Sequence, residues 1–164
     1  MRDIRKRYAI VFLCLCFSAA CGYRFVGENF PSDIKTLHIA IFENRTAETG
    51  IEMLFANDLI SEFMRSSSLV LAGESEADVV LAGKIASLKI ETISRQGSHT
   101  ALEREVRISV GLKLTDSEGK ERWSAKGISH NEAYPVTPDK TETEANKRIA
   151  ISEISKRIAE DVYD

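Results

Sequence analysis

The stretch Glu105-Val106-Arg107-Ile108-Ser109-Val110-Gly111-Leu112-Lys113-Leu114-Thr115 decides the fold. Its even-numbered residues, from Val106 to Leu114, are all apolar; its odd-numbered ones are Glu, Arg, Ser, Gly, Lys and Thr. A strict period of two is that of a β-strand with one face buried and the other wet. Each buried Val, Leu or Ile contributes roughly 1.5–3 kcal/mol, and a one-residue slip would expose them all, so this strand fixes its own register.

The reading extends outward from there. Asp116-Ser117-Glu118-Gly119 is a hairpin loop, with Gly119 free to take positive φ. A further strand follows through Trp123, Ala125 and Gly127 towards Tyr134. Upstream, Arg95 to Thr100 reads as a polar loop and Val79 to Ile93 as a long strand. In that strand Val79, Leu81 and Ile85 share one parity while Leu88 and Ile90 have the other. A bulge near Ala86-Ser87 returns them to a single face. Leu37, Ile39 and Ile41 alternate in a first strand, before a polar loop from Glu43 to Gly50. Leu69 to Leu71 is a brief extended piece, and Glu74 to Asp78 a turn.

Two amphipathic helices complete the pattern. Thr49 and Glu52 have capping-box spacing, and Ile51, Leu54, Phe55, Leu59 and Phe63 then recur at three and four, ending near Ser66-Ser67-Ser68. After Pro135 and Pro138, Thr141 and Glu144 form a second box ahead of the stripe Ile151, Ile154, Ile158 and Val162. The expected fold is an α+β two-layer sandwich: a four-stranded, mostly antiparallel sheet with two helices packed on one face.

The N-terminus is a different kind of sequence. Arg2, Arg5, Lys6 and Arg7 precede an apolar run from Tyr8 to Phe17, then Ser18-Ala19-Ala20. That is the layout of a secretory signal, and the run is short for a hydrocarbon core about 30 Å thick. The alternatives are an uncleaved anchor and plain secretion. All three cysteines, Cys14, Cys16 and Cys21, lie in or directly after this run, which excludes a disulfide scaffold, a cysteine metal site and a cysteine nucleophile from the domain. Cys21 directly follows Ala19-Ala20, as in a bacterial lipoprotein signal, whose cysteine is acylated and becomes the mature N-terminus; Ser18 stands where such signals usually carry Leu. Several acyl chains make a firm anchor where one holds only reversibly. Gly22 follows the cysteine, and the absence of Asp there favours the outer membrane by the enterobacterial sorting rule. The chain thus divides into a signal peptide at 1–20, a lipidated tether at 21–33 and a domain at 34–164.

Charge and chemistry narrow the function. A formal charge of −3 leaves no electrostatic footprint for a phosphate backbone, so no nucleic acid is expected. Residues 22–83 carry 4 basic and 10 acidic residues; residues 84–130 carry 9 basic and 6 acidic; residues 131–164 carry 5 and 8. The strands are therefore basic and the rest acidic. If the helices cover the apolar face, the other face offers Arg107 and Lys113, joined by Lys84 and Lys126 where the strands align, to an anionic ligand. Arg107 is the first choice, because a guanidinium forks onto phosphate; Arg95 and Arg104 flank the loop before that strand. Interleaved Glu91, Glu103 and Glu105 leave the alternative of an ordinary solvated face. His38, His99 and His130 have no metal spacing, and no nucleophile elbow or glycine-rich phosphate loop is present, so neither an enzyme nor a cofactor is expected.

The chain resembles the LptE family of lipopolysaccharide-assembly lipoproteins. The resemblance rests on Cys21-Gly22-Tyr23-Arg24-Phe25, Ile34-Lys35-Thr36-Leu37, Phe42-Glu43-Asn44-Arg45-Thr46, Glu76-Ala77-Asp78-Val79-Val80-Leu81-Ala82-Gly83 and Gly119-Lys120-Glu121-Arg122-Trp123, in that order. It implies a non-enzymatic lipoprotein, palmitate-bearing at Cys21, on the periplasmic face of the cell outer membrane. It further implies that the protein sits with an LptD-like outer-membrane β-barrel, assists its assembly and helps deliver lipopolysaccharide to the outer leaflet. A different class with a similar strand–helix pattern is a periplasmic adaptor lipoprotein of TolB-N-terminal or penicillin-binding-protein-activator type, which would bind an envelope partner and no lipopolysaccharide.

Overall fold

A computed structural model describes residues 33–96 and 100–163. In chain order the elements are β1 (Thr36–Ile39), β2 (Glu43–Asn44), α1 (Ile51–Ser66), β3 (Val70–Leu71), β4 (Val79–Gln96), β5 (Thr100–Asp116), β6 (Glu121–Pro135) and α2 (Lys140–Tyr163). The sheet runs β3-β1-β4-β5-β6, with β2 also on β4. Both helices lie on one face.

The expected four-stranded, mostly antiparallel sheet is corrected to six strands of mixed direction. β1 is parallel to β3 and β4, and β2 is parallel to β4, whereas β4–β5 and β5–β6 are antiparallel. The reason is the crossover. α1 carries the chain back to the end where β1 began, so the strands that follow run the same way. The two extra strands, β2 and β3, are two residues each, too short for any periodicity to show.

The decisive strand behaves as its alternation requires. Val106, Ile108, Val110, Leu112 and Leu114 are all buried, while Arg107 and Lys113 are exposed. Register shifts between Ile85 and Ser87, after which Leu88 lies opposite Ile108 and Ile90 opposite Val106; the bulge thus turns both to the helix-side face, where Leu88 is partly buried against the core and Ile90 stays exposed. Gly119 turns the β5–β6 hairpin at φ 80°. Gly127, at φ 74°, is the extra residue of a bulge in β6 where Val110 pairs with Ile128 and Gly111 with Lys126. Of the expected polar loop at 95–100, Arg95 and Gln96 belong to β4 and Thr100 opens β5, and residues 97–99 lie outside the described residues.

The apolar stripes pack as read. Ile51, Phe55, Leu59 and Phe63 of α1 and Ile151, Ile154, Ile158 and Val162 of α2 are buried in one core with the sheet. Their caps differ from the two expected boxes. Gly50 caps α1 in a left-handed conformation with no side-chain cap, although Glu52 Oε1 does accept the Gly50 N–H at 3.2 Å, half of a box. At α2 the cap is Asp139, whose Oδ1 accepts the Thr141 N–H at 2.8 Å; Glu144 points instead to Lys147. At the far ends the helices are joined by the edge-on contact of Phe63 and Tyr163, centroids 5.7 Å apart, and by the Tyr163 hydroxyl donating to the Ser66 carbonyl.

Candidate ligand groove on the open face of the sheet

Both helices lie on one face, no described element covers the other, and small residues hollow it. In one cross-strand row Lys84 lies opposite Gly111, and Gly111 opposite Lys126. In the next, Ala82 lies opposite Lys113, and Lys113 opposite Ser124. Gly111 has no side chain and Ala82 a short one, so the middle of the face is a groove of about 620 Å³. Ala82, Ala86, Gly111 and Ser124 line its floor, exposed Ile41 stands at one side, and three lysines surround it. Adjacent strands lie about 4.8 Å apart, which sets the Lys84 and Lys126 backbones about 10 Å from each other. Lysine stems lie along apolar surface while the ammonium reaches water. An apolar floor ringed by cations suits an amphipathic anion.

Two carboxylates moderate the charge. Lys113 Nζ stands 3.7 Å from Glu121 Oε2, and Lys84 Nζ 3.8 Å from Glu43 Oε2, both long for an ion pair. The Ser124 hydroxyl, then Lys113 and Lys126, hold the Glu121 carboxyl below the usual carboxylate range. Arg45, donating at 2.7 Å, and then Lys84 do the same for Glu43. Both carboxylates therefore stay ionised at neutral pH, and the groove carries three positive charges against two.

The cations singled out in the sequence are dispersed. Lys113 lines the groove. Arg107 is on the same open face but four residues along β5 from Gly111, about 13 Å away. It donates to Glu105 Oε1 at 3.0 Å, while the other oxygen of Glu105 accepts from Asn131. Arg95 is exposed within β4, opposite Ala101 near the tip of the β4–β5 hairpin. Arg104 is half-buried on the opposite, helix-side face, between Thr92 and Tyr134. Cys21 lies outside the described residues. The sequence signal for the groove floor was present in Ala82, Gly111 and Ser124, small residues at outward parity beside the lysines.

Other polar motifs are structural. Asn44 Oδ1 accepts from the backbone and hydroxyl of Thr46, while its Nδ2 donates to the Glu48 carbonyl and Glu52 Oε2, which fixes the turn into α1. His38 Nδ1 meets the Ala72 carbonyl at 3.1 Å beside β3, and His130 Nε2 meets Asp161 at 2.6 Å, tying β6 to α2. Among the described residues no group of His, Cys, Asp or Glu has a metal-binding arrangement.

Comparison with known proteins agrees with this architecture. The profile of the family described as "LptE: Lipopolysaccharide-assembly" matches residues 34–164. No curated protein matches the chain in sequence. Among solved structures, lipoprotein B from Nitrosomonas europaea is similar at a TM-score of 0.60 with 15% identity, over 87% of this chain and 88% of that one. Rare lipoprotein B from Shewanella oneidensis is similar at 0.51 with 18% identity, over 78% and 90%. A minor lipoprotein from Acinetobacter baumannii is similar at 0.51 with 18% identity, over 79% and 91%. At these identities the likeness is one of fold.

Proposed function

Because the chain belongs to the LptE lipopolysaccharide-assembly family, we propose that it is an outer-membrane lipoprotein that works with an LptD-like β-barrel. It assists assembly of the barrel and delivery of lipopolysaccharide to the outer leaflet, and it does so without catalysis. The family match over the whole domain carries this reading. Two features of the chain support it. The lipoprotein-type signal ending at Cys21 supplies acyl chains, and so a membrane anchor on the periplasmic face. The groove offers cations over an apolar floor, which fits a phosphorylated lipid head group.

Lys113, with Lys84 and Lys126, is the centre of the proposed contact with lipopolysaccharide. Arg107 extends it along the same face; Arg95 and Arg104 are outlying contacts at the hairpin and on the other face. All three groove cations are lysines, which bind phosphate as point charges rather than as forks. Affinity therefore rests on several weak charges acting together.

Copurification tests the partner. The protein is extracted from its own membranes in mild detergent and what accompanies it is identified. A large β-barrel in near-stoichiometric amount is expected, since a stable complex buries above about 1,000 Å². Recovery of a peptidoglycan-synthesis or other envelope protein without a barrel would favour the adaptor reading.

A further inference from the structure

Two of the charged residues that line the open-face groove are carboxylates, and both are held in the same way. Glu43 comes from β2 and Glu121 from β6, the outer two of the four strands that form the groove, with Lys84 on β4 and Lys113 on β5 between them. In Glu43, Oε1 accepts from Arg45 Nε at 2.7 Å while Oε2 faces Lys84 Nζ at 3.8 Å. In Glu121, Oε1 accepts from the Ser124 hydroxyl at 2.6 Å while Oε2 faces Lys113 Nζ at 3.7 Å. A close ammonium–carboxylate bond is about 2.7–2.9 Å long. Each Oε2 therefore keeps bonding capacity beside a lysine that keeps its own.

Such an arrangement is at odds with a bare phosphate. A phosphate oxygen bonded to Lys113 stands within about 6.5 Å of Glu121 Oε2, since its bond adds about 2.8 Å to the 3.7 Å already there. The same holds at Lys84 and Glu43. Like charges at that separation repel. A ligand with an ammonium beside its phosphate removes the conflict, because the phosphate takes the lysine and the ammonium takes the neighbouring Oε2. Both carboxylates are held ionised at neutral pH, Glu121 by Ser124 first and Glu43 by Arg45 first. All four side chains are partly exposed, between 38% and 56%, so each can be reached by a ligand.

We infer that the groove selects lipopolysaccharide whose lipid phosphates carry an amine of phosphoethanolamine type over the form with bare phosphates, and that Glu43 and Glu121 determine this specificity. The inference rests on the lipopolysaccharide reading above and adds a second contact of opposite sign. Charge complementarity names the occupant: cations and carboxylates paired side by side in one groove match a zwitterionic group better than a simple anion.

Binding to the full chain, purified from its own bacterium in a non-ionic detergent, tests this near neutral pH. The probes are bisphosphoryl lipid A, the same lipid A with phosphoethanolamine on its phosphates, and phosphatidylethanolamine, at equal mole fractions. The substituted lipid A has the lower net negative charge, so lysines acting alone would bind it more weakly. The wild-type protein should bind it at least about threefold more tightly, within reach of two exposed ion pairs. In the double variant Glu43→Gln, Glu121→Gln the order should reverse. Equal or tighter binding of unsubstituted lipid A by the wild type would overturn the inference without reference to the variant. So would a preference that survives the double variant, or phosphatidylethanolamine binding as tightly as substituted lipid A, which would give the groove to a phospholipid. The triple variant Lys84→Glu, Lys113→Glu, Lys126→Glu separates this from the reading beneath it. Lipid A binding left intact by the triple would remove the groove and the selection together. Binding lost in the triple, with no wild-type preference for the substituted form, would overturn the selection alone.

Discussion

The ring of Phe42 lies against the backbone of Gly83, so close that a Cβ added to the glycine would stand 2.3 Å from Phe42 Cε1 and Cζ. The ring cannot swing away, because on its other side it meets Phe55, centroid to centroid 5.9 Å at 51°. This contact joins β2, β4 and α1 at the place where the parallel part of the sheet begins. Gly83→Ala should therefore cost about 1–3 kcal/mol, the usual range for overpacking. Urea unfolding measures it. Adding Phe42→Leu should recover part of the loss, and a Gly83→Ala protein as stable as wild type would mean that the ring has room to move.

Lys147 should be a stabilising cation with a defined pH range. Its Nζ bonds Glu48 at 2.9 Å and Glu144 at 2.7 Å, which pins the loop before α1 to α2. Burial works to lower its pKa, but the bonds to Glu144 and Glu48 outweigh that and leave it raised above the usual 10.5. A raised lysine pKa adds stability below its unfolded value, and that stability is lost as pH rises through the folded value. Lys147→Met should cost roughly 1–2 kcal/mol near pH 7, between the exposed and buried cases. The difference from wild type should be flat from about pH 7 to 9 and shrink above about pH 10.5. Denaturation at several pH values reads both.

Ser155 points the other way. It is 1% exposed on the buried side of α2, and its hydroxyl has no hydrogen-bond partner among the described residues. A buried unpaired hydroxyl costs about 1–3 kcal/mol, and Ala is also the better helix former. Ser155→Ala should raise the stability of the domain by about 1 kcal/mol. A lower melting temperature for the variant would show that the hydroxyl is satisfied in solution.

On the open face, the joint change Lys84→Glu, Lys113→Glu, Lys126→Glu should weaken binding of purified lipopolysaccharide by about tenfold or more, although each exposed charge alone is worth only about 0–1 kcal/mol. Wild-type binding should fall as salt rises. Arg95→Glu, Arg104→Glu, Arg107→Glu should have the smaller effect, because those residues share no single site. Equal losses from the two triples would point to diffuse attraction and no groove.

These residues also show what the sequence could and could not reveal. The alternation around Val106 to Leu114 and the stripes of both helices needed only periodicity, so the core was legible. The Ala86-Ser87 bulge was legible too, since it alone reconciles Ile85 with Leu88. Strand direction was not, because parallel pairing of β1 with β4 is set by the crossover and not by either strand's own pattern. Among the described residues, two of the stretches that carry the family resemblance are architectural: Phe42 and Gly83 meet in the core, and Asn44 ties the turn before α1. They identify the family while saying little about the ligand. The groove was half legible. Its lysines were visible, but their convergence on Gly111 depends on cross-strand register, and Arg107, chosen for its chemistry, stands one site along.

Removing the protein from the cell tests its role in lipopolysaccharide assembly most directly. Its gene is placed under a repressible promoter in its own bacterium, and during depletion the newly made lipopolysaccharide reaching the cell surface is followed with the amount of correctly assembled LptD-like barrel. Both should fall together, before general envelope damage, and both should return when the intact gene is restored. Surface lipopolysaccharide and assembled barrel that stay at normal levels in depleted cells would contradict a role in lipopolysaccharide assembly.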